Sequence, residues 1–221
     1  MTALLKADAV TVWRGDNVLL DEISFILNGG QVLLVHGANG SGKTTLLRVV
    51  CGLGYADEGT VYWRGESMPK ATPRFNQELL YLGHRSGIKG GLTPIENLAL
   101  FTAVRPNASA FGSTQLSAAE LADVSPLIKH ALGELGLQSV LDIPCRYLSA
   151  GQQRRVSLAR LILQSAVLWI LDEPLTSLDK NGLDWVRKQI EKHVAGGGAV
   201  LLTTHAALEF DTVQVNTLAL A

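Results

Sequence analysis

Little in this chain points to a membrane, a secretory route or a nucleic acid. No stretch approaches the roughly 18 consecutive apolar residues that a membrane-spanning helix needs, and the opening MTALLKADAV lacks the layered plan of a signal peptide. The expectation is a soluble protein, or one held peripherally by a partner. Cysteine is scarce: only Cys51 and Cys145 occur in 221 residues, with no Cys-x-x-Cys. A disulfide scaffold is excluded, and ordinary packing in a reducing compartment is the simpler reading. Neither sign of charge dominates, since 19 Lys and Arg face 20 Asp and Glu for a net charge of −1 and a pI near 6.5. No global positive field exists to draw in nucleic acid or anionic lipid. The densest basic pair, Arg154 and Arg155, is expected on a solvated helix face. Repeats with a period of 20 to 50 residues and long low-complexity tracts are also missing.

What is there suits one domain over residues 1–221: 47% of the chain is hydrophobic and 18% charged, enough to bury roughly 70% of the unfolded surface. Short β-branched and apolar runs at Val10 to Trp13, Ile23 to Leu27, Val32 to Val35, Gly59 to Trp63 and Leu79 to Leu82 predict strands. Thr93-Pro94-Ile95-Glu96 combines an N-cap, a proline at the first helical position and a capping-box glutamate, so a helix should begin there. Ser117-Ala-Ala-Glu120 repeats the cap signal. Ser125-Pro126 predicts a further helix start, with apolar residues at 127, 128, 131, 132 and 135. Residues from about 92 to 163 are therefore expected to be mainly helical. From Val167 the pattern returns to strand, then helix over about 180 to 195, stopped by Gly196-Gly197-Gly198, then strand in AVLLTT. Such alternation predicts a parallel α/β sheet covered on both faces.

The chemistry begins at GANGSGKTT: Gly37, Ala38, Asn39, Gly40, Ser41, Gly42, Lys43, Thr44 and Thr45. The run fits the phosphate-loop pattern G-x-x-x-x-G-K-[ST], with an apolar strand before it and a helical run after it, where that pattern requires them. Glycines 37, 40 and 42 let the backbone curl so that successive N–H groups point inward at phosphate oxygens, and the new helix adds its positive end. Lys43 is placed to reach the β- and γ-phosphates, and the Thr44 hydroxyl to ligate Mg²⁺. The expected ligand is a nucleoside triphosphate. Further on, VLWILDE is an apolar strand ending in two carboxylates. Taken alone it reads as a plain strand end; beside a phosphate loop, Asp172 becomes the candidate to hold Mg²⁺ and its waters, and Glu173 the candidate to take a proton from an attacking water.

LSAGQQRR at 148 to 155, SLD at 177 to 179 and TTH at 203 to 205 complete the set. In this order, with the phosphate loop, they resemble the ATP-binding cassette (ABC) family, whose signature is typically LSGGQ. The resemblance implies a phosphate-loop NTPase fold with a RecA-like parallel-sheet core, an antiparallel β subdomain and an α-helical signature subdomain. On that plan the nucleotide core with its β subdomain takes about 1–91 and 164–221, and the helical part about 92–163. It also implies a homodimer in which ATP on one phosphate loop is covered by the signature of the other copy. Ser149, Ala150, Gly151 and Gln152 would form that cover, with Ala150 in place of the usual second glycine. Trp13, 30 residues before Lys43, falls where the family stacks an aromatic on adenine; its alternative is a strand residue packed on the core. His205, 32 residues after Glu173, falls on the family's switch histidine, which contacts the γ-phosphate and helps hold the attacking water. Asp179 would reach across the dimer, or cap the following helix, or both. His84, in LYLGHRSGIK, stands where the family usually has a glutamine that touches Mg²⁺ and the attacking water; a neutral imidazole offers one donor and one acceptor in its place. The alternative is a tolerated substitution.

The stretch ELLYLGHRSGIKGGLTPIENL, the run LSAGQQRRVSLARL and VLWILDEPLTSLD followed by GGAVLLTTH are similar in wording to the ATPase subunits of bacterial cytochrome c maturation, the haem exporter ATP-binding proteins. That likeness implies a peripheral protein on the cytoplasmic face of the inner membrane, partnered by CcmB, CcmC and CcmD, whose ATP hydrolysis drives haem export or release of the haem-loaded chaperone CcmE. Contrasting readings are the ATPase of another importer or exporter, a soluble cassette acting on nucleic acid or ribosomes, and a non-hydrolysing regulatory module. The absence of fused cassettes, long coiled-coil insertions and a basic surface weighs against the nucleic-acid reading. The intact Lys43, Asp172, Glu173 and His205 weigh against the regulatory one.

Overall fold

A computed structural model describes residues 3–103, 118–205, 209–210 and 212–220 of the chain. The helix-start signal at Ser117 lies outside the described residues. The chain forms two compact units, one built from residues 1–84, 166–173 and 190–221, the other from 85–165 and 174–189.

The first unit holds two sheets. Strands β1 (Leu5–Arg14), β2 (Asn17–Leu27), β4 (Glu58–Trp63) and β5 (Glu66–Ser67) form an antiparallel sheet in the order β2-β1-β4-β5. In β1 the start of the strand alternates, with Leu5 and Ala7 buried while Lys6 and Asp8 point outward, as a sheet with one wet face should. The second sheet is wholly parallel: β6 (Leu79–Leu82), β7 (Leu168–Asp172), β8 (Ala199–Thr203), β3 (Gln31–His36) and β9 (Gln214–Ala219), in that order. Every residue of β7 and β8 is buried. That is why LWILD and AVLLT read as unbroken apolar runs rather than alternating ones. Helix α1 (Lys43–Val50) follows β3, and α2 (Met68–Glu78) precedes β6. One continuous core joins Leu5, Val61 and Trp63 of the antiparallel sheet to Leu46 and Leu47 of α1 and to Ile170 and Leu201 of the parallel sheet. Cys51 lies in this core, and burial pushes its thiol up, reinforced by the charge of Asp172, so it stays an un-ionised packing residue.

The second unit is helical: α3 (Pro94–Ala103), α4 (Ala118–Glu134), α5 (Ala150–Leu158) and α6 (Arg160–Leu163), with the first part of α7 (Lys180–Ala195). Its core gathers Leu98, Ile128, Leu132, Leu135, Cys145 and Val156. The predicted capping box forms at α3, where the Thr93 amide donates to Glu96 at 2.8 Å and the Glu96 amide to the Thr93 hydroxyl at 3.3 Å. Two expectations need correction. Pro126 does not open a helix but lies inside α4, and Leu127 is 57% exposed although Ile128, Ala131, Leu132 and Leu135 are buried. A cap signal is local, and the burial of Ile128, Ala131 and Leu132 on the helix that runs through the proline overrides it. Helix α2 and strands β5 and β9 had no sequence signal strong enough to predict them.

The end of α7 covers the strand that carries the carboxylates. His193 stacks on Trp169 of β7 with ring centroids 3.9 Å apart and planes 6° from parallel, and Gly198 packs so closely that any side chain there would strike the imidazole. Burial holds the His193 imidazolium below its usual value of 6.5, opposed by backbone bonds at Ala199 and Val167. The unfolded chain then takes up a proton near pH 6.5 that the folded chain resists, so this stability is present above that pH and is lost as the pH falls. Unfolding free energy measured in urea should therefore decline between about pH 7 and 5.5, and H193F should flatten that part of the curve.

Candidate nucleotide site

Strand β3 ends at His36 and α1 begins at Lys43, leaving Gly37 to Gly42 to make the turn. Gly40 and Gly42 sit at φ +88° and +91°, in the left-handed region where only glycine is unstrained. A Cβ on Gly42 would also come within 2.7 Å of Leu20, and one on Gly37 within 2.7 Å of the Leu220 carbonyl. Gly42 is the N-cap of α1 and no side chain caps the helix; its first turn carries no acidic residue. The amides at the start of α1 therefore present an uncompensated positive end. Two further groups in the loop lack an outside partner that would satisfy them. Lys43 is 9% exposed, and its ammonium donates to the loop's own carbonyls, Gly37 at 2.7 Å and Ala38 at 3.0 Å. The Ser41 hydroxyl is buried with no hydrogen-bond partner among the described residues. A buried cation held only by carbonyl dipoles, next to an orphaned hydroxyl and a bare helix end, is a cradle for an anion. Ala38, Asn39 and Gly40 are exposed and Thr45 is half-buried in α1.

The carboxylates arrive on the neighbouring strands. Asp172, 1% exposed, closes β7 and pairs in register with Thr203, the last residue of β8. Its Oδ2 accepts from the Thr44 hydroxyl at 2.9 Å, and its Oδ1 from the Thr203 hydroxyl at 2.9 Å. The same Thr203 oxygen accepts from the Glu173 amide at 2.9 Å, and that amide also reaches the Thr203 carbonyl at 3.2 Å. Glu173 sits at φ +50°, a strained conformation for a residue with a side chain. Its Oε1 lies 3.3 Å from His205 Nε2. The loop, Asp172, Glu173 and His205 thus come together in one unit.

The second unit holds the other candidates. Ser149 caps α5 and Gln152 completes a capping box: the Gln152 amide donates to the Ser149 hydroxyl at 3.2 Å, and the Ser149 amide to the Gln152 side chain at 2.9 Å. A Cβ on Gly151 would lie 2.8 Å from the carbonyl of Ser177, whereas Ala150 carries its methyl in the open. The position where this signature departs from LSGGQ is therefore the one that tolerates a side chain. Asp179 accepts from the Gly182 amide at 2.9 Å, which caps α7, and pairs with Arg155 at 2.7 Å. The Gly182 amide first, and Arg155 second, hold its carboxyl below the usual range. Arg154 is only 6% exposed and donates to the Pro174 carbonyl at 3.2 Å. The expectation of a solvated arginine face is thus corrected: both side chains tie α5 to the loop between Pro174 and Asp179.

The description of the ABC transporter family matches residues 20–176. The chain belongs to that family. It is 42% identical over 212 residues to the cytochrome c biogenesis ATP-binding export protein CcmA of Vibrio vulnificus, across 96% of this chain and 97% of that one. It is also 42% identical over 218 residues to CcmA of Yersinia pestis, across 99% and 93%. Among solved structures, a dimeric ATP-binding cassette in a post-hydrolysis state with ADP and Pi superposes with a TM-score of 0.77 at 22% identity, covering 91% of this chain and 88% of that one. The ATP-binding subunit of an ABC transporter gives 0.74 at 22% identity, with 91% and 79% covered. At such identities the likeness shows the fold: an ATP-binding cassette.

Two candidates of this cassette stand apart from the hydrogen-bonded cluster. Trp13, one residue before the end of β1, is 48% exposed, with its amide donating to Asp57 at 2.7 Å. His84 is exposed at the end of the first segment of its unit. Sequence reasoning singles out TTH for its histidine and passes over Thr203, whose only signal is a hydroxyl closing an otherwise apolar, fully buried strand. The tight approach at Gly151 gives a direct test. G151A should lose about 1–3 kcal/mol of unfolding free energy by overpacking, while A150G should lose no more than about 1 kcal/mol of helix propensity, both measured by denaturant titration.

Proposed function

We propose that this cassette is the ATP-hydrolysing subunit of a membrane ABC complex for cytochrome c biogenesis, working as a pair of identical subunits whose signatures cover each other's ATP. The observation that carries the reading is the linked pair Thr44 and Asp172 beside a buried, anion-seeking Lys43, in a chain that matches CcmA proteins over nearly its full length. Trp13 stacks on adenine. Gly37 to Thr45 wrap the phosphates with backbone amides, and Lys43 moves from the loop carbonyls onto the β- and γ-phosphates. Thr44 and Asp172 offer hard oxygen donors 2.9 Å apart, a donor set that suits Mg²⁺. Bound there, Mg²⁺ would neutralise charge on the β- and γ-phosphate oxygens. Glu173 accepts the proton of the attacking water, and His205, 3.3 Å from that carboxylate, orients it toward the γ-phosphate. Ser149, Ala150, Gly151 and Gln152 supply the N-terminus of α5 to the γ-phosphate of the other copy, and Asp179 reaches over the same interface.

His84 stands in for the glutamine usual in the family; with Mg²⁺ held by Thr44 and Asp172, its imidazole would offer one donor and one acceptor to water at the site and pass the nucleotide state to the helices that follow. Its support is its place as the last residue before the chain enters the second unit. The work is delivered to CcmB, CcmC and CcmD at the cytoplasmic face of the inner membrane, where it drives haem export or release of haem-loaded CcmE. No helix among the described residues is long and apolar enough to cross a membrane.

E173Q should bind ATP about as well as the wild type and hydrolyse it roughly 10²–10⁴-fold more slowly. In cells lacking the native subunit it should leave cytochrome c unassembled; normal assembly with E173Q would overturn the reading. H84Q should keep ATPase activity and assembly while H84A loses part of both. If H84A retains both in full, His84 has no coupling role.

A further inference from the structure

We infer that Thr203 is a positioning residue for ATP hydrolysis, its hydroxyl fixing both Asp172 and the strained backbone of Glu173. This rests on the reading of Asp172 and Glu173 given above. Thr203 is 0% exposed, so its hydroxyl cannot exchange with water. One hydroxyl carries one proton and two lone pairs. Here the proton goes to Asp172 Oδ1 at 2.9 Å and a lone pair takes the Glu173 amide at 2.9 Å. That division fixes the direction of the chain: Glu173 amide to Thr203, Thr203 to Asp172, with Thr44 donating to the other carboxylate oxygen.

Each bond has a consequence for the site. With Oδ1 hydrogen-bonded to Thr203, turning the Asp172 carboxylate about its terminal bond would break that contact, which favours the rotamer that aims Oδ2 at Thr44. With the amide held, the peptide leading into Glu173 stays in the orientation that permits φ +50°, and the carboxylate stays 3.3 Å from His205. A valine of the same shape would fill the space and leave the Thr203 carbonyl, 3.2 Å from the Glu173 amide, as its remaining acceptor on this residue. Asp172 Oδ1 would face a methyl group. Partners that orient a metal-binding carboxylate are expected to matter about 10–100-fold in metal affinity or turnover.

Thr203→Val and Thr203→Ser separate the hydroxyl from the packing. In the full-length protein, ATP affinity in EDTA, followed by tryptophan fluorescence, should be unchanged within about twofold for both variants. Mn²⁺ binding to the ADP complex, followed by electron paramagnetic resonance, should weaken about tenfold or more in T203V, with kcat falling by a similar factor and KM for ATP nearly constant; T203S should match the wild type in both. The inference is overturned if T203V binds Mn²⁺ and turns over like the wild type, or if T203S is impaired as much as T203V, which would place the effect in the methyl group. If T203V does not fold, T203A against T203S gives the same comparison. Failure of the wild type itself to bind ADP and Mn²⁺ would instead count against the nucleotide reading.

Discussion

Three side chains and one main-chain amide form a continuous run of hydrogen bonds along one end of the parallel sheet: Thr44 to Asp172, Thr203 to Asp172, and the Glu173 amide to Thr203. Asp172 is a carboxylate with almost no contact with solvent, and a buried carboxylate persists only when its lone pairs are satisfied. Other features of the first unit follow from meeting that condition. The register of β7 on β8 must bring Asp172 level with Thr203. Helix α1 must start where Thr44 can reach it. The turn into α1 must therefore be tight, and glycines at left-handed angles make it so.

The same run explains why the strain at Glu173 persists. A left-handed, side-chain-bearing residue costs of order 1–3 kcal/mol and lasts where its surroundings over-determine it. Here two acceptors of one residue hold its amide, and the strain turns the carboxylate toward His205 instead of continuing the strand. A regular β residue would have pointed it elsewhere. Asp172 and Glu173, adjacent in sequence, thus have different partners because the backbone leaves the strand between them.

The second unit solves a different problem, the end of a helix. Ser149 and Gln152 satisfy the first amides of α5 from within, and Gly151 keeps the turn clear for the Ser177 carbonyl. Arg154 and Arg155 hold the adjoining loop from Pro174 to Asp179, so the acidic side chain that caps α7 is also fixed by a cation. The signature and the SLD loop, far apart in sequence, are one hydrogen-bonded assembly. The substitution at Ala150 leaves that assembly intact because its methyl group faces open space.

How much of this the residues announce depends on the range of the interaction. GANGSGKTT states the turn, the helix start and the anion cradle by itself, because those follow from glycine angles and free amides over nine neighbouring residues. The apolar runs of β3, β7 and β8 and the Thr93 capping box are legible for the same reason. Helix α2, the edge strand β9 and the passage of α4 through Pro126 were not, since they depend on tertiary packing or, for β9, on pairing with β3, which local propensity does not encode. The burial of Arg154, the pairing of Arg155 with Asp179 and the double hydrogen bond of Thr203 were not legible either. Sequence determined which groups could bind phosphate and carry charge. Only the tertiary structure decided which of them share a hydrogen bond, because a hydroxyl 31 residues from its carboxylate finds it through strand register, and register is set by the whole buried sheet.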